Sequence, residues 1–201
     1  MPERTTDEVL LQEAEAGDQA AFLELYDRYR QPIFRFAYRL LGSVEIAEDV
    51  THDCFLSLIR KPGNFESGRA SLKTYLYAAA RNLALKHFRD TGREAGMEEV
   101  TQEPHDSSKR GPLRRLLDEE LATQVREAVF SLPPLQREAL ILFEYEGLSL
   151  SEVAEVAGTD VGAIKARLYR AREGLKRFLR PYVSSNQELN SGREIVTLRE
   201  A

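Results

Sequence analysis

The stretch from Ser149 to Arg170 decides the fold of this chain; it reads SLSEVAEVAGTDVGAIKARLYR. Ser149 and Glu152 have the spacing of a capping box, in which a hydroxyl and a carboxylate satisfy each other's backbone N–H groups at the start of a helix. Gly158 is suited to end that helix in the left-handed conformation, and Asp160 is suited to cap the next one. The stretch therefore predicts two helices that meet across a short turn, which is a helix-turn-helix.

The second of these helices is strongly basic. Between Ala163 and Arg180 there are seven Lys or Arg residues and one acid, Glu173. In a helix-turn-helix the second helix enters the major groove of DNA, where cations bond base edges and phosphates. A solvated basic face on a terminal helix is the alternative interpretation. The residues that we predict to contact duplex DNA are Lys165, Ala166, Arg167, Tyr169 and Arg170.

Helical periodicity also fills the chain from Asp7 to Asp90. Apolar residues recur every three or four positions, which predicts a long helix that ends at Gly42 and is kinked or interrupted at Pro32. A second helix is predicted from about Ser43 to about residue 59, and a third begins near residue 71. Four residues of the second helix are predicted to form its buried stripe: Ala47, Val50, Cys54 and Leu58.

The composition of the sequence changes between Gly92 and Asp118, where Gly, Pro and Ser are scattered among charged residues. This composition is typical of a flexible linker. Helical periodicity then returns and ends near Pro181. We therefore predict an all-α protein with two small helical domains, the C-terminal one a helix-turn-helix. The predicted segments are a first domain at 1–92, a linker at 93–118, a second domain at 119–181 and a tail at 182–201.

Composition limits the function classes. A chain of 201 residues with one Cys and three His offers no disulfide framework and no ligand set for structural zinc. It also has no phosphate-binding loop and no nucleophile beside a base, so we predict neither enzyme activity nor a cofactor. No apolar run reaches the ~20 residues of a membrane span, and the N-terminus lacks the apolar core of a signal peptide. These features predict a cytoplasmic protein.

Charge is segregated along the chain, although the net charge is −5. From Arg69 to Arg89 there are five bases, no acids and three interleaved aromatic residues. Bases and rings together suit single-stranded nucleic acid, but these side chains could equally belong to a core and a solvated surface. The preceding helix instead carries acids on one side, which suits either a basic protein partner or solvent.

Four motifs in order resemble the extracytoplasmic-function group of bacterial RNA polymerase sigma factors. They read AEDVTHDCF at 47–55, LKTYLYAAARN at 72–82, LPPLQREA at 132–139 and VGAIKARLYRAR at 161–172. The resemblance covers about residues 8 to 180 apart from the linker. Tyr75 stands where the family commonly has Trp, and the tail after Tyr182 has no counterpart in the family pattern.

The resemblance implies three interfaces. The acidic helix would bind the coiled-coil clamp of the polymerase largest subunit through Glu48, Asp49, Asp53 and Phe55. The following loop and helix would open the promoter minus-ten element and hold a flipped base, through Asn64, Phe65, Arg81, Asn82 and Lys86. The helix-turn-helix would read the minus-thirty-five element as duplex DNA.

Two function classes remain open at this point. The first is a sigma factor, whose partners would be core RNA polymerase, promoter DNA and an inhibitory anti-sigma protein. The second is a stand-alone helix-turn-helix transcriptional regulator, which would bind DNA without polymerase. The regulator does not account for a basic, aromatic segment beside an acidic helix, whereas the sigma factor does.

Overall fold

A computed structural model describes the backbone of residues 6–60, 65, 70–91 and 112–197, with side chains for 6–60, 65, 70–89 and 120–182. These ranges contain eight α-helices and no strand, which confirms the all-α prediction. A π-helical turn, Ile141–Tyr145, follows α6. The helices are α1 (Asp7–Glu15), α2 (Gln19–Leu41), α3 (Val44–Arg60), α4 (Leu72–Thr91), α5 (Pro112–Phe130), α6 (Pro134–Leu140), α7 (Leu150–Ala157) and α8 (Val161–Thr197).

Helix α2 organises the N-terminal domain. It begins at the cap Asp18, whose carboxylate accepts a hydrogen bond from the backbone N–H of Ala20 over 2.8 Å. It ends at Gly42, which has the left-handed conformation (φ 79°) that the sequence predicted. Of the two outcomes predicted at Pro32, a kink or an interruption, the interruption does not occur, because α2 continues through this residue. An internal proline costs about 3 kcal/mol, and the complete burial of Ile33 and Phe36 beside it offsets that cost.

Helices α3 and α4 pack on α2 and on each other. The predicted buried stripe of α3 is confirmed, since each of its four members is at most 2% exposed. On α4 the buried apolar positions include Leu72, Leu76, Ala80 and Ala84, at a spacing of four residues, together with Tyr77. Tyr75, predicted to lie in the stripe, is half-buried at its edge.

The C-terminal domain consists of α5 to α8. Helix α5 begins at Pro112, so the last part of the predicted linker is helical, and residues 92–111 lie outside the described residues. The last helix was predicted to end near Pro181, but α8 continues to Thr197. After Pro181 the sequence has no glycine before Gly192, so no residue suited to a left-handed cap follows at once.

The two domains are in direct contact. Helix α4 lies against α7, and α2 contacts α5, α6 and the π turn. Buried apolar side chains from both domains form one contiguous core. Among the described helices, none combines the length and the hydropathy needed to cross a membrane.

Candidate nucleic-acid interface

The turn between α7 and α8 has the geometry that the sequence predicted. The Ser149 hydroxyl accepts from the N–H of Glu152 over 3.3 Å, and the Glu152 carboxylate accepts from the N–H of Ser149 over 2.8 Å. The bond from the Ser149 side chain lowers the pKa of Glu152. Gly158 is left-handed (φ 62°), and Asp160 accepts from the N–H of Ala163 over 2.9 Å. These caps fix the start of α8 relative to α7.

The opening turns of α8 present a basic, aromatic surface. Lys165, Tyr169 and Arg170 are exposed, and Tyr169 is 68% exposed although it is a large aromatic residue. Ala166 is half-buried beside them. The opposite side of the helix packs into the core through residues such as Ile164 and Leu168. This arrangement leaves a basic face free to enter a DNA groove.

Arg167 does not share this face. It is half-buried, and its Nη1 atom is enclosed by protein. Burial raises the pKa of Glu138, and the charge of Arg167 is among those that oppose this rise. Its place on the helix explains the difference, because it precedes the buried Leu168 by one residue and flanks the core stripe. Arg167 is thus directed toward the protein interior, and its contact with DNA stays a prediction, as it does for its four neighbours.

Helix α3 carries an exposed acidic face. Glu48, Asp49 and Asp53 are all exposed, as a contact with a basic partner requires. Phe55, which was grouped with them, is only 3% exposed and packs edge-on against the ring of Tyr26, with centroids 4.9 Å apart. Phe55 therefore belongs to the core that supports α3, and its ring is not available to a partner.

The candidate minus-ten residues differ in how exposed their side chains are. Asn82 and Lys86 are exposed on α4, where Asn82 lines an open concave surface together with Phe88. Phe65 is half-buried and packs edge-on against Tyr75, with centroids 5.5 Å apart. The predicted contact at residue 64, an asparagine, lies outside the described residues.

Arg81, the remaining candidate, is held by the other domain. Its Nε atom donates to Oε1 of Glu138 over 2.6 Å, and the two side chains are 14% and 2% exposed. Burial raises the pKa of Glu138, and the neighbouring guanidinium of Arg81 opposes that rise. The guanidinium of Arg81 is thus directed at a carboxylate of α6 in this structure.

A second contact between the domains centres on Glu146, just after the π turn. Its carboxylate accepts from Arg39 over 2.9 Å and from the hydroxyl of Tyr77 over 2.6 Å. Its backbone carbonyl accepts from Nζ of Lys73 over 3.0 Å. Sequence analysis missed this cluster, because these donors lie 69 to 107 positions away along the chain.

In the part of the chain that the structure describes, neither a metal site nor a reactive thiol is evident. Within the described residues no group of three or more His, Cys, Asp or Glu side chains could hold a metal ion. Cys54 is buried, and burial raises the pKa of its thiol to about 12. The thiolate, which is the reactive form of cysteine, is therefore disfavoured at neutral pH.

Both domains match known protein families. Residues 25–94 match the family model of sigma-70 region 2, and residues 122–175 match that of sigma-70 region 4. The first range contains α3 and all of α4, which carry the acidic face and Asn82. The second range contains the helix-turn-helix. The match to region 2 favours a sigma factor over a stand-alone regulator.

Two relatives support this result, one of them matched over nearly its full length. The chain is 34% identical to the ECF RNA polymerase sigma factor BldN of Streptomyces coelicolor over 178 residues, 85% of this chain and 64% of that protein. It is 32% identical to the RNA polymerase sigma-H factor of Pseudomonas aeruginosa over 183 residues, 87% of this chain and 94% of that one.

A solved structure extends the similarity to the fold. The sigma factor RpoE of Bartonella quintana, crystallised with the anti-sigma factor NepR, superposes with a TM-score of 0.64. The two chains are 27% identical, and the match covers 79% of this chain and 96% of the other. By its two domains and its relatives, the chain belongs to the extracytoplasmic-function group of the sigma-70 family, the promoter-specificity subunits of bacterial RNA polymerase.

Proposed function

We propose that this sigma factor binds polymerase, single-stranded promoter DNA and duplex promoter DNA through three separate surfaces. The acidic face of α3, formed by Glu48, Asp49 and Asp53, binds core RNA polymerase. Exposed residues of α4, with Phe65 before it, open the minus-ten element and hold the single strand. The opening turns of α8 read the minus-thirty-five element as duplex DNA, through Lys165, Ala166, Tyr169 and Arg170.

The observation that carries this proposal is the exposed face of α8. Tyr169 and Arg170 project from a helix whose start is fixed by the Asp160 cap and by Gly158. An exposed Arg can bond guanine or phosphate, and a ring can contact a thymine methyl group. At 68% exposure, Tyr169 is the most exposed large apolar side chain among the described residues, so its ring is accessible to a ligand.

The surface of α4 suits the complementary role. Flipping a base out of a duplex costs a few kcal/mol of unstacking, so a protein that does this needs rings and cations near the displaced strand. Phe65 and Tyr75 supply rings, and Lys86 supplies an exposed cation. Asn82 adds an amide that can bond the edge of a base.

The proposal includes a location and a further partner. The protein acts in the cytoplasm, as a subunit of polymerase and without a catalytic activity of its own. The Bartonella relative was crystallised with an anti-sigma factor, and we extend that kind of partner to this chain.

The division of labour is tested with two variants at different steps. Arg170→Ala should weaken binding of the holoenzyme to minus-thirty-five duplex DNA by about 1–3 kcal/mol. The matched control is Arg30→Ala, because Arg30 is an exposed arginine on α2, in the other domain. The control should leave duplex binding unchanged, as measured by footprinting of the holoenzyme.

The second variant, Asn82→Ala, should spare duplex binding and impair strand opening. Permanganate reactivity of thymines in the minus-ten element measures that opening directly. The assignment is wrong if Arg170→Ala and Asn82→Ala fail at the same step. Footprinting by the protein in the absence of polymerase would instead support a stand-alone regulator.

A further inference from the structure

A cleft between the two domains combines aromatic walls with positive charge. It lies between the C-terminal end of α2, helix α5 and the π turn, and it opens to solvent. Five of its lining residues carry a ring or a charge: Tyr38, Arg39, Arg126, Phe130 and Tyr145. We propose that this cleft binds a small aromatic carboxylate, whose ring packs among the three rings and whose charge pairs with Arg126. None of these residues belongs to the three surfaces of the proposed function, so the site does not depend on that assignment.

Packing inside the protein holds two of the three rings in place. Tyr38 is buried and stacks on Phe34, with ring centroids 6.3 Å apart and planes 8° from parallel. The Phe130 ring packs against the guanidinium of Arg137, 4.1 Å from the ring centroid. The ring of Tyr145 is 43% exposed at the mouth of the cleft. Because fixed groups lose little freedom when a ligand binds, these walls suit a flat apolar group.

The two cations of the cleft differ in whether a carboxylate balances their charge. Arg39 pairs with Glu146 over 2.9 Å, and its guanidinium lies 4.5 Å from the centroid of the Tyr145 ring. Arg126 is half-buried and donates to the Thr123 hydroxyl over 2.8 Å. No carboxylate among the described residues forms an ion pair with Arg126.

This difference identifies the charge of the ligand. A guanidinium has five N–H donors and can bond one carboxylate through two of them. Arg126 is therefore able to bind a carboxylate while it keeps its bond to Thr123. Since the cleft offers one unbalanced positive charge, it fits a monoanion better than a polyanion such as a nucleotide. Ligand sites commonly combine apolar walls with a few polar groups that fix orientation, and this cleft has both.

The two sides of the cleft come from different domains. Tyr38 and Arg39 lie on α2, whereas Arg126 lies on α5 and Tyr145 in the π turn. A ligand between them contacts both domains at once. Because a ligand that binds only one arrangement stabilises it by mass action, the cleft is suited to a small-molecule effector of this sigma factor.

Titration of the full chain with benzoate at constant ionic strength tests the site. The backbone amide signals in NMR spectra of the nitrogen-labelled protein report where benzoate binds, and they should shift most at residues 126–130 and at Tyr145. The Kd should be about 1–10 mM, which is ordinary for a ligand of about nine non-hydrogen atoms. Acetate has only the charge and benzamide only the ring. Each should bind at least about tenfold more weakly than benzoate, because each lacks one of the two contacts.

Two variants remove the two contacts separately. Arg126→Met keeps a long side chain and removes the charge, and it should weaken benzoate binding at least about tenfold. Tyr145→Ala removes the exposed ring and should weaken binding at least about threefold. The matched control is Arg30→Met, which makes the same change in charge at an exposed position of α2 and should leave benzoate binding unchanged. Amide signals far from each substitution show whether the variant keeps its fold.

The site is overturned if benzoate shifts no amide signal of the cleft, or if Arg126→Met binds benzoate as the wild type does. Acetate that binds as tightly as benzoate would also overturn it, and so would shifts confined to the basic face of α8, which would indicate unselective binding of anions. The proposed function is tested separately, because the assays of Arg170→Ala and Asn82→Ala contain no benzoate.

Discussion

Arg137 joins the two domains from inside the core, and replacing it should be costly. It is 2% exposed. Its Nη1 atom donates to the carbonyl of Leu40 at the end of α2 over 2.8 Å, and Nη2 donates to the carbonyls of Leu132 (3.1 Å) and Phe130. The guanidinium also lies over the Phe130 ring, 4.1 Å from its centroid. The informative substitution is Arg137→Met, which keeps a long apolar chain and removes the guanidinium.

The magnitude follows from the three acceptors that lose their donor. A buried acceptor left without a partner costs about 1–3 kcal/mol, so three of them cost at least roughly 3 kcal/mol. Removing a buried charge offsets part of that cost, because a guanidinium is itself expensive to desolvate. We therefore expect Arg137→Met to lower the free energy of unfolding by about 2–4 kcal/mol, a large share of the ~5–15 kcal/mol of a natural domain.

Urea unfolding of the full chain, followed by far-ultraviolet circular dichroism, measures this difference. The matched control is Arg126→Met on α5, where the half-buried Arg126 donates to the Thr123 hydroxyl, within its own turn of helix, over 2.8 Å. The control should cost less than about 0.5 kcal/mol, which is usual for a substitution away from the core. If Arg137→Met costs no more than the control, Arg137 does not carry the contacts between the domains.

Two further predictions concern α3 and α7. Asp49→Arg should weaken binding to core polymerase roughly tenfold or more, because it places a like charge against a basic partner. The circular dichroism spectrum should stay unchanged. Equal binding of the variant and the wild type in a gel-shift titration would show that the interface does not lie on α3. Ser149→Ala removes the helix cap and should cost about 1 kcal/mol of stability at neutral pH. Since Ser149 lowers the pKa of Glu152, that contribution is present above the ordinary glutamate pKa of about 4.3 and is lost as the pH falls through the lower folded value. Urea melts at neutral and acid pH test this, and a difference from the wild type that grows in acid would contradict it.

Short-range signals in the sequence predicted much of the fold. The caps at Ser149 and Asp160 and the stops at Gly42 and Gly158 lie within a few residues of the helix ends that they define, and all four have the predicted geometry. Their conformations depend on local backbone chemistry, which the sequence carries directly. The helix-turn-helix could therefore be predicted in detail.

The errors arose where distant parts of the chain decide the outcome. Pro32 would interrupt an isolated helix, but the burial of Ile33 and Phe36 holds α2 together. Phe55 lies beside the buried stripe of α3 in the sequence pattern. In the structure it packs against the ring of Tyr26 from α2 and is buried. Periodicity identifies a buried side of a helix and does not identify which neighbouring residues another helix will cover.

The candidate site was predictable in its exposed parts only. Lys165, Tyr169 and Arg170 lie opposite an apolar stripe, so the pattern of one helix is enough to place them outside. Arg81 belongs to an equally basic stretch, but its environment depends on Glu138, which lies 57 residues further along the chain. The sequence alone does not reveal this pairing, so it predicts that Arg81 is a cation available to DNA.

The pairing also changes the meaning of the charge distribution. The chain is acidic overall, and the basic stretch of α4 seemed to stand apart from that acidity. In the folded protein, Glu138 and Glu146 accept hydrogen bonds from donors on this stretch of α4. The side chains of both glutamates are less than 6% exposed. Salt weakens exposed ion pairs far more than enclosed ones, whereas DNA binding weakens steeply as salt rises. Raising the ionic strength should therefore weaken DNA binding before it weakens the ion pairs of Glu138 and Glu146.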